Sequence, residues 1–146
     1  MITAAIVRDN TPKIATDDLP ANTTLLDTRT KEEFAISHLP NAQWIGNNEV
    51  PLDSLVIKKD APIILYCSIG YRSGLVGEQL IEQGFKEVYN LDGGLFQWFN
   101  EGKAVLRNRK RTRDVHPYSR FWGLWLEDAN RIKTVPRKIT IPKISR

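Results

Sequence analysis

Residues 62–73, PIILYCSIGYRS, join an apolar strand to a polar loop and to the start of a helix. Residues 62–66 are nearly all apolar, which predicts a strand buried on both faces, as in a parallel sheet. Residues 73–83 are predicted to form a helix, because apolar residues recur near helical spacing and Gly84 follows as a stop. A buried strand that runs directly into a helix is typical of folds that alternate the two elements.

The same alternation continues on both sides of this segment. The further predicted elements are strands at 23–27, 43–45 and 87–91 and helices at 30–36 and 95–99. The first of these helices begins with Thr30 and Glu33 at the spacing of a capping box, and the second ends near Gly102. This order of elements predicts an α/β fold with a mainly parallel central sheet flanked by helices.

Length and composition predict one soluble globular domain with a basic extension. The chain has 146 residues, of which 41% are hydrophobic and 26% charged, values that argue against disorder and fibrous repeats. Residues 1–102 hold 8 Lys and Arg against 14 Asp and Glu, a net charge of −6. Residues 103–146 hold 13 Lys and Arg against 3 Asp and Glu, a net charge of +10. The shift predicts a domain over 1–102 and a separate basic, aromatic-containing C-terminal extension over 103–146.

A single cysteine limits the chemistry and is compatible with a reducing compartment. Cys67 cannot form a disulfide within the chain, and with His38 and His116 it cannot build a zinc site based on several cysteines. The first ten residues lack the basic region of a signal peptide, and no stretch approaches the roughly 18 apolar residues of a spanning helix. These features predict a soluble, cytoplasmic protein.

Cys67 directly follows the apolar strand and precedes a helix, the position at which α/β sheets bind ligands. If the loop curls around Cys67, the amides of residues 68–73 converge on its sulfur, with Gly70 allowing the turn and Arg72 adding positive charge. Each feature favours the thiolate, the reactive form in sulfur transfer. The alternative is a small buried apolar residue at a strand end, a common role for a free cysteine. Gly70 and Arg72 together have no evident packing purpose, so we favour the reactive site.

Four sequence elements resemble the rhodanese family, in order and in spacing. Residues 67–73 resemble its active-site loop, in which four residues separate Cys from Arg. Residues 26–34 resemble its Asp-x-Arg segment and following helix, and residues 38–42 resemble its His-Ile-Pro-Gly-Ala turn, with Asn41 replacing Gly. Residues 93–98 are similar to its Gly-Gly-x-x-x-Trp element. The resemblance covers about residues 20–102.

The resemblance implies a sulfurtransferase of the thiosulfate sulfurtransferase class that uses neither metal nor cofactor. It assigns catalysis to Cys67, which carries sulfur as a persulfide. It assigns the substrate and persulfide-binding loop to Ser68, Ile69, Gly70, Tyr71, Arg72 and Ser73, and structural support to Asp27, Arg29, Glu33 and His38. Within that support we predict an ion pair between Arg29 and Glu33, and a fold-stabilising role for His38 rather than a general base. Tyr71 stands where the family often has a basic or polar residue.

The implied reaction moves a sulfane sulfur from thiosulfate or a persulfide to a thiol or cyanide. A protein partner that relays sulfur is a further possibility that the sequence leaves open. Phosphatases and arsenate reductases similar to rhodaneses have five residues between Cys and Arg, a loop sized for a tetrahedral anion. Only four residues separate Cys67 from Arg72, which favours sulfur over an anion hydrolase.

A non-enzymatic alternative is a sulfur-carrier or partner-binding module that uses the basic C-terminal extension. Its cluster of basic residues at 107–113 precedes the aromatic run 121–126, a combination that could bind nucleic acid or an anionic membrane. We favour packing of these aromatic residues on the body or on a second subunit, because exposed they would form an aggregation-prone patch. An oligomer through this extension is therefore an open expectation.

Overall fold

The computed structural model describes residues 10–116. Its strands there are β1 (Lys13–Ile14), β2 (Thr24–Asp27), β3 (Gln43–Trp44), β4 (Pro62–Tyr66), β5 (Glu87–Leu91), β6 (Val105–Arg107) and β7 (Lys110–Thr112). Its helices are α1 (Lys31–Ile36), α2 (Tyr71–Glu82) and α3 (Gly94–Asn100). None of these helices is long and apolar enough to cross a membrane.

Five strands form one sheet in the order β1-β5-β4-β2-β3, and every neighbouring pair is parallel. Strands β6 and β7 form a separate antiparallel hairpin. The predicted α/β fold, with a mainly parallel central sheet flanked by helices, is confirmed. Sequence analysis missed the two-residue β1 and the hairpin.

The apolar run of β4 lies between two hydrophobic cores, because successive side chains of a strand point to opposite faces. Ile64 and Tyr66 belong to the core that contains the apolar residues of α3. Ile63 and Leu65 belong to the core that contains the apolar residues of α2. Burial on both faces explains why this strand is the clearest in the sequence.

Local capping signals act as the sequence predicts. The Thr30 side chain accepts a hydrogen bond from Glu33 N, and the Glu33 side chain accepts one from Thr30 N, which completes the capping box of α1. Asn41 has a φ of 67°, so it takes the left-handed conformation that a glycine usually supplies.

The hairpin belongs to the packed body. Val105 and Val115 are buried in the same core as Tyr66, and the backbone of Leu106 pairs with that of His38. The packed body therefore extends past residue 103, where the composition changes, and includes Val105 and Val115. The expectations for the aromatic run 121–126 lie outside the described residues.

The chain order places a crevice between β2 and β4. After β2 the chain adds β3 on one side of the pair, and after β4 it adds β5 on the other. The connections thus leave in opposite directions at the carboxyl ends of β2 and β4, which is where α/β sheets bind ligands. Asp27 ends β2, and Cys67 directly follows β4.

Candidate active site

Cys67 lies at the bottom of the loop between β4 and α2, with 1% of its surface exposed. The backbone N–H of Gly70 donates a hydrogen bond to the Cys67 Sγ at 3.0 Å. Gly70 has a φ of 113°, which turns the loop back over the sulfur and is accessible mainly to glycine. The loop therefore curls around Cys67, and Gly70 makes the turn that we predicted for it.

Ser73 and Asn90 hold the loop through hydrogen bonds. The Ser73 Oγ lies 3.5 Å from the Cys67 Sγ and 2.6 Å from the Asn90 Oδ1, to which it donates. The Asn90 Nδ2 donates to the Gly70 carbonyl at 2.8 Å. Asn90 was missed by sequence analysis. The signal in the sequence is a polar residue within a predicted strand. In the structure Asn90 is 1% exposed, and a buried amide requires hydrogen-bond partners.

The start of α3 holds the backbone of the same loop. Leu95 N donates to the Cys67 carbonyl at 2.8 Å, and Phe96 N donates to the Ser68 carbonyl at 3.0 Å. A Cβ on Gly94 would lie 2.6 Å from the Cys67 carbonyl oxygen and 2.5 Å from that of Ser68. Only glycine permits this approach, which gives the Gly-Gly element a physical role at the site.

Arg72 points to a carboxylate on α1. Its Nη1 and Nη2 donate to the Glu33 Oε1 and Oε2 at 2.9 and 3.1 Å. The Ser68 hydroxyl donates to Glu33 at 3.2 Å and accepts from the Arg72 Nη2 at 3.1 Å. Burial opposes the charge of Glu33, but the hydrogen bonds and positive charge of Arg72 lower the pKa of Glu33, so the carboxylate stays ionised.

The predicted ion pair between Arg29 and Glu33 is wrong, because Arg29 pairs with Asp27. The Arg29 Nε lies 3.0 Å from the Asp27 Oδ1 and its Nη2 lies 2.7 Å from the Oδ2. Arg29 N also donates to the Asp27 Oδ1 at 2.9 Å, which folds the arginine back onto the end of β2. Burial disfavours its charge, yet the adjacent Asp27 raises the pKa of Arg29. The structural role predicted for Asp27 and Arg29 fits this contact.

His38 packs between α1 and the hairpin of β6 and β7. Its ring stacks on Phe34 with centroids 4.1 Å apart, and its Nδ1 lies 2.9 Å from the Leu39 carbonyl oxygen. Its backbone N–H donates to the Leu106 carbonyl at 3.0 Å. These contacts fit the predicted fold-stabilising role.

The two remaining loop residues, Ile69 and Tyr71, differ in exposure. Tyr71 is the first residue of α2 and is 66% exposed, whereas Ile69 packs against the core that contains Tyr66. Beside Ile69 lies a cavity of about 180 Å³ that is lined by uncharged residues, namely Ile69, Gly93, Phe96, Gln97 and Asn100. Within residues 10–116, no group of three His, Cys, Asp or Glu side chains could hold a metal ion.

The part of the chain that contains this site is similar to known proteins. A family model described as a rhodanese-like domain matches residues 11–101. A protein named sulfurtransferase from Allochromatium vinosum is 33% identical over 82 residues, which cover 56% of this chain and 77% of that protein. The thiosulfate sulfurtransferase GlpE of Coxiella burnetii is 35% identical over 74 residues, or 51% of this chain and 69% of that protein. A solved rhodanese-like domain protein from Staphylococcus aureus superposes with a TM-score of 0.58 at 29% identity, over 66% of this chain and 98% of that one.

Proposed function

Because this chain belongs to the rhodanese-like family, we propose that it is a sulfurtransferase that carries a sulfane sulfur on Cys67. The observation that carries the proposal is the loop amide of Gly70, 3.0 Å from a cysteine sulfur at the carboxyl end of a central strand. An amide donor at this distance stabilises a thiolate, and it can equally stabilise the terminal sulfur of a persulfide. Relatives named sulfurtransferase and thiosulfate sulfurtransferase support the reaction class.

In the first half-reaction, the Cys67 thiolate attacks the outer sulfur of a donor. A bond forms between the Cys67 Sγ and that sulfur as the donor's own sulfur–sulfur bond breaks. The leaving group takes the electron pair, as a thiolate when the donor is a persulfide and as sulfite when it is thiosulfate. Since Cys67 is 1% exposed, the loop restricts attack to slender groups such as a terminal sulfur.

In the second half-reaction, an acceptor thiolate or cyanide attacks the terminal sulfur of the Cys67 persulfide. The bond to the Cys67 Sγ breaks and returns its electron pair to the cysteine, which regenerates the thiolate. The product is a new persulfide or thiocyanate, and the cycle consumes no external oxidant or reductant. The protein's only cysteine is Cys67, so no second thiol of the chain competes for the persulfide.

Intact-protein mass spectrometry tests this proposal. The protein is treated with thiosulfate or with an alkyl persulfide, and then with cyanide. We expect a gain of one sulfur mass, its loss on cyanide addition, and release of thiocyanate. Cys67→Ser is expected to retain the fold and to lose the adduct completely. If neither donor adds sulfur to Cys67, the proposal is overturned in favour of the non-enzymatic binding module.

A further inference from the structure

The positive charge of the loop is compensated inside the protein. Arg72 holds both carboxylate oxygens of Glu33, and the two side chains are 15% and 1% exposed. Two parallel contacts between a guanidinium and a carboxylate make a strong and geometrically specific pair. Arg72 and Glu33 therefore form a neutral pair, in which Glu33 compensates the positive charge that sequence analysis assigned to Arg72.

Two further contacts fix Glu33 in this position. Its Oε1 also accepts from the Thr30 N–H at 2.8 Å, within the capping box of α1. Its Oε2 accepts from the buried Ser68 hydroxyl at 3.2 Å. The carboxylate is thus held by the start of a helix and by the loop at once, so Arg72 cannot leave it without breaking a connected network.

Two features near the loop, within residues 10–116, are uncharged or charge-compensated. The cavity of about 180 Å³ beside Ile69 is lined by uncharged residues. The other arginine near the crevice, Arg29, is fully buried against Asp27 and forms a second neutral pair. The described donors to the Cys67 Sγ are the Gly70 amide and the Ser73 hydroxyl, and both are uncharged.

We propose that Glu33 determines donor specificity, by neutralising Arg72 and thereby favouring an alkyl persulfide over thiosulfate. This inference rests on the proposed sulfurtransferase function. Thiosulfate carries two negative charges and leaves as the sulfite dianion, which gains most from an uncompensated cation beside the sulfur. An alkyl persulfide carries at most one negative charge at its reacting end and leaves as a thiolate. Both donors produce the same Cys67 persulfide, so the difference lies in binding and in the leaving group.

The test compares the rates at which two donors load Cys67, measured by rapid quenching, alkylation and mass spectrometry. The donors are thiosulfate and 2-hydroxyethyl persulfide, which has no charge outside its sulfur atoms. In Glu33→Gln the glutamine can still accept from Thr30 N, because capping boxes use Glu or Gln. We expect thiosulfate loading to rise about tenfold, the size of one charge-assisted hydrogen bond, while persulfide loading changes less than about twofold.

The matched control is Glu32→Gln, which changes the net charge equally on the same helix at an exposed position. We expect it to leave the ratio of the two rates unchanged. Arg72→Met makes the opposite change, because it leaves the Glu33 carboxylate uncompensated. It should lower thiosulfate loading relative to persulfide loading by about tenfold.

The outcomes separate this inference from the proposed function. An unchanged ratio of rates in folded Glu33→Gln, with Cys67 still loaded, overturns the inference alone. If Glu33→Gln does not fold, an unchanged ratio in Arg72→Met overturns it. Absence of loading by either donor in the unsubstituted protein overturns the proposed function and this inference with it.

Discussion

Two arginine–carboxylate pairs lie near the crevice between β2 and β4, and they differ in their surroundings. Arg29 and Asp27 are both completely buried. Arg72 is 15% exposed and reaches from the loop that contains Cys67 to Glu33 on α1. The first pair joins residues two apart in the chain, whereas the second joins residues 39 apart.

The difference in burial gives the same chemical pair two roles. Arg29 also donates to the Ser37 carbonyl at 2.6 Å, so its pair ties the end of β2 to the end of α1. Arg72 shares Ser68 with Glu33, so its pair ties the loop over Cys67 to the start of α1. The first pair therefore acts on stability, and we propose that the second also sets the charge that a substrate meets.

The largest expected effect is that of Arg29→Met on stability. Removing the arginine leaves the Asp27 carboxylate buried without its cation, which costs about 3–5 kcal/mol. Urea unfolding measures the loss. The control is Lys58→Met, an equal loss of charge at an exposed site, for which we expect a change within about 0.5 kcal/mol. Equal effects of the two substitutions would contradict the structural role of the first pair.

Gly94→Ala alters the shape of the loop and leaves both ion pairs intact. The added Cβ would lie 2.6 Å from the Cys67 carbonyl oxygen at a φ of 63°. We expect a loss of about 2–4 kcal/mol, from overpacking and the left-handed backbone together, and a loss of Cys67 loading. Gly102→Ala has a φ of 85° and open space, so it should cost only about 1–2 kcal/mol. Similar urea midpoints and loading rates for the two variants would show that the close approach of α3 is unimportant.

Arg72→Met is expected to destabilise less than Arg29→Met. Glu33 keeps the Thr30 N–H and the Ser68 hydroxyl as donors, and water can reach the partly exposed site of Arg72. We expect a loss of about 1–2 kcal/mol in urea unfolding at pH 7. Lys58→Met serves again as the charge-matched control. A loss as large as that of Arg29→Met would remove the contrast between the two pairs.

The smallest expected effect is a pH dependence that belongs to the second pair. Arg72 lowers the pKa of Glu33 in the folded state, so Glu33 contributes stability that is fully present above its unfolded pKa of 4.5. That contribution is lost as the pH falls below 4.5 and through the folded pKa. We therefore expect the stability difference between the unsubstituted protein and Glu33→Gln to shrink on acidification, in urea unfolding series from pH 7 to pH 3. A difference that stays constant over this pH range would contradict the ionised pair of Glu33 and Arg72.

Elements with local signals could be predicted from the sequence. The bounds of β4 and β5 match the predicted strands 62–66 and 87–91, because apolar runs and their flanking glycines are readable along the chain. The capping box of α1 was predicted because its two residues are three apart. Helix α2 begins at Tyr71, two residues before the predicted start, since Gly70 provides the left-handed residue before it.

Elements without local signals were missed. The turn between β6 and β7 uses Asn108 and Arg109 at positive φ, and an arginine gives no turn signal of the kind that Asn-Gly does. The partners of Arg29 and Glu33 were assigned wrongly, since charge and spacing alone allow several pairings. Asn90 was missed because its contact to the Gly70 carbonyl joins two elements that are distant in sequence.

The sequence by itself determined the α/β architecture and the position of a cysteine loop after a buried strand, because periodicity and capping act over a few residues. Only the tertiary structure decided which carboxylate faces which arginine, and that the start of α3 rests on the loop backbone through Gly94. These contacts depend on the order in which strands assemble into the sheet. That order brings residues from four separate segments to one crevice. Hydrogen bonds and charges then determine which of these neighbouring residues pair.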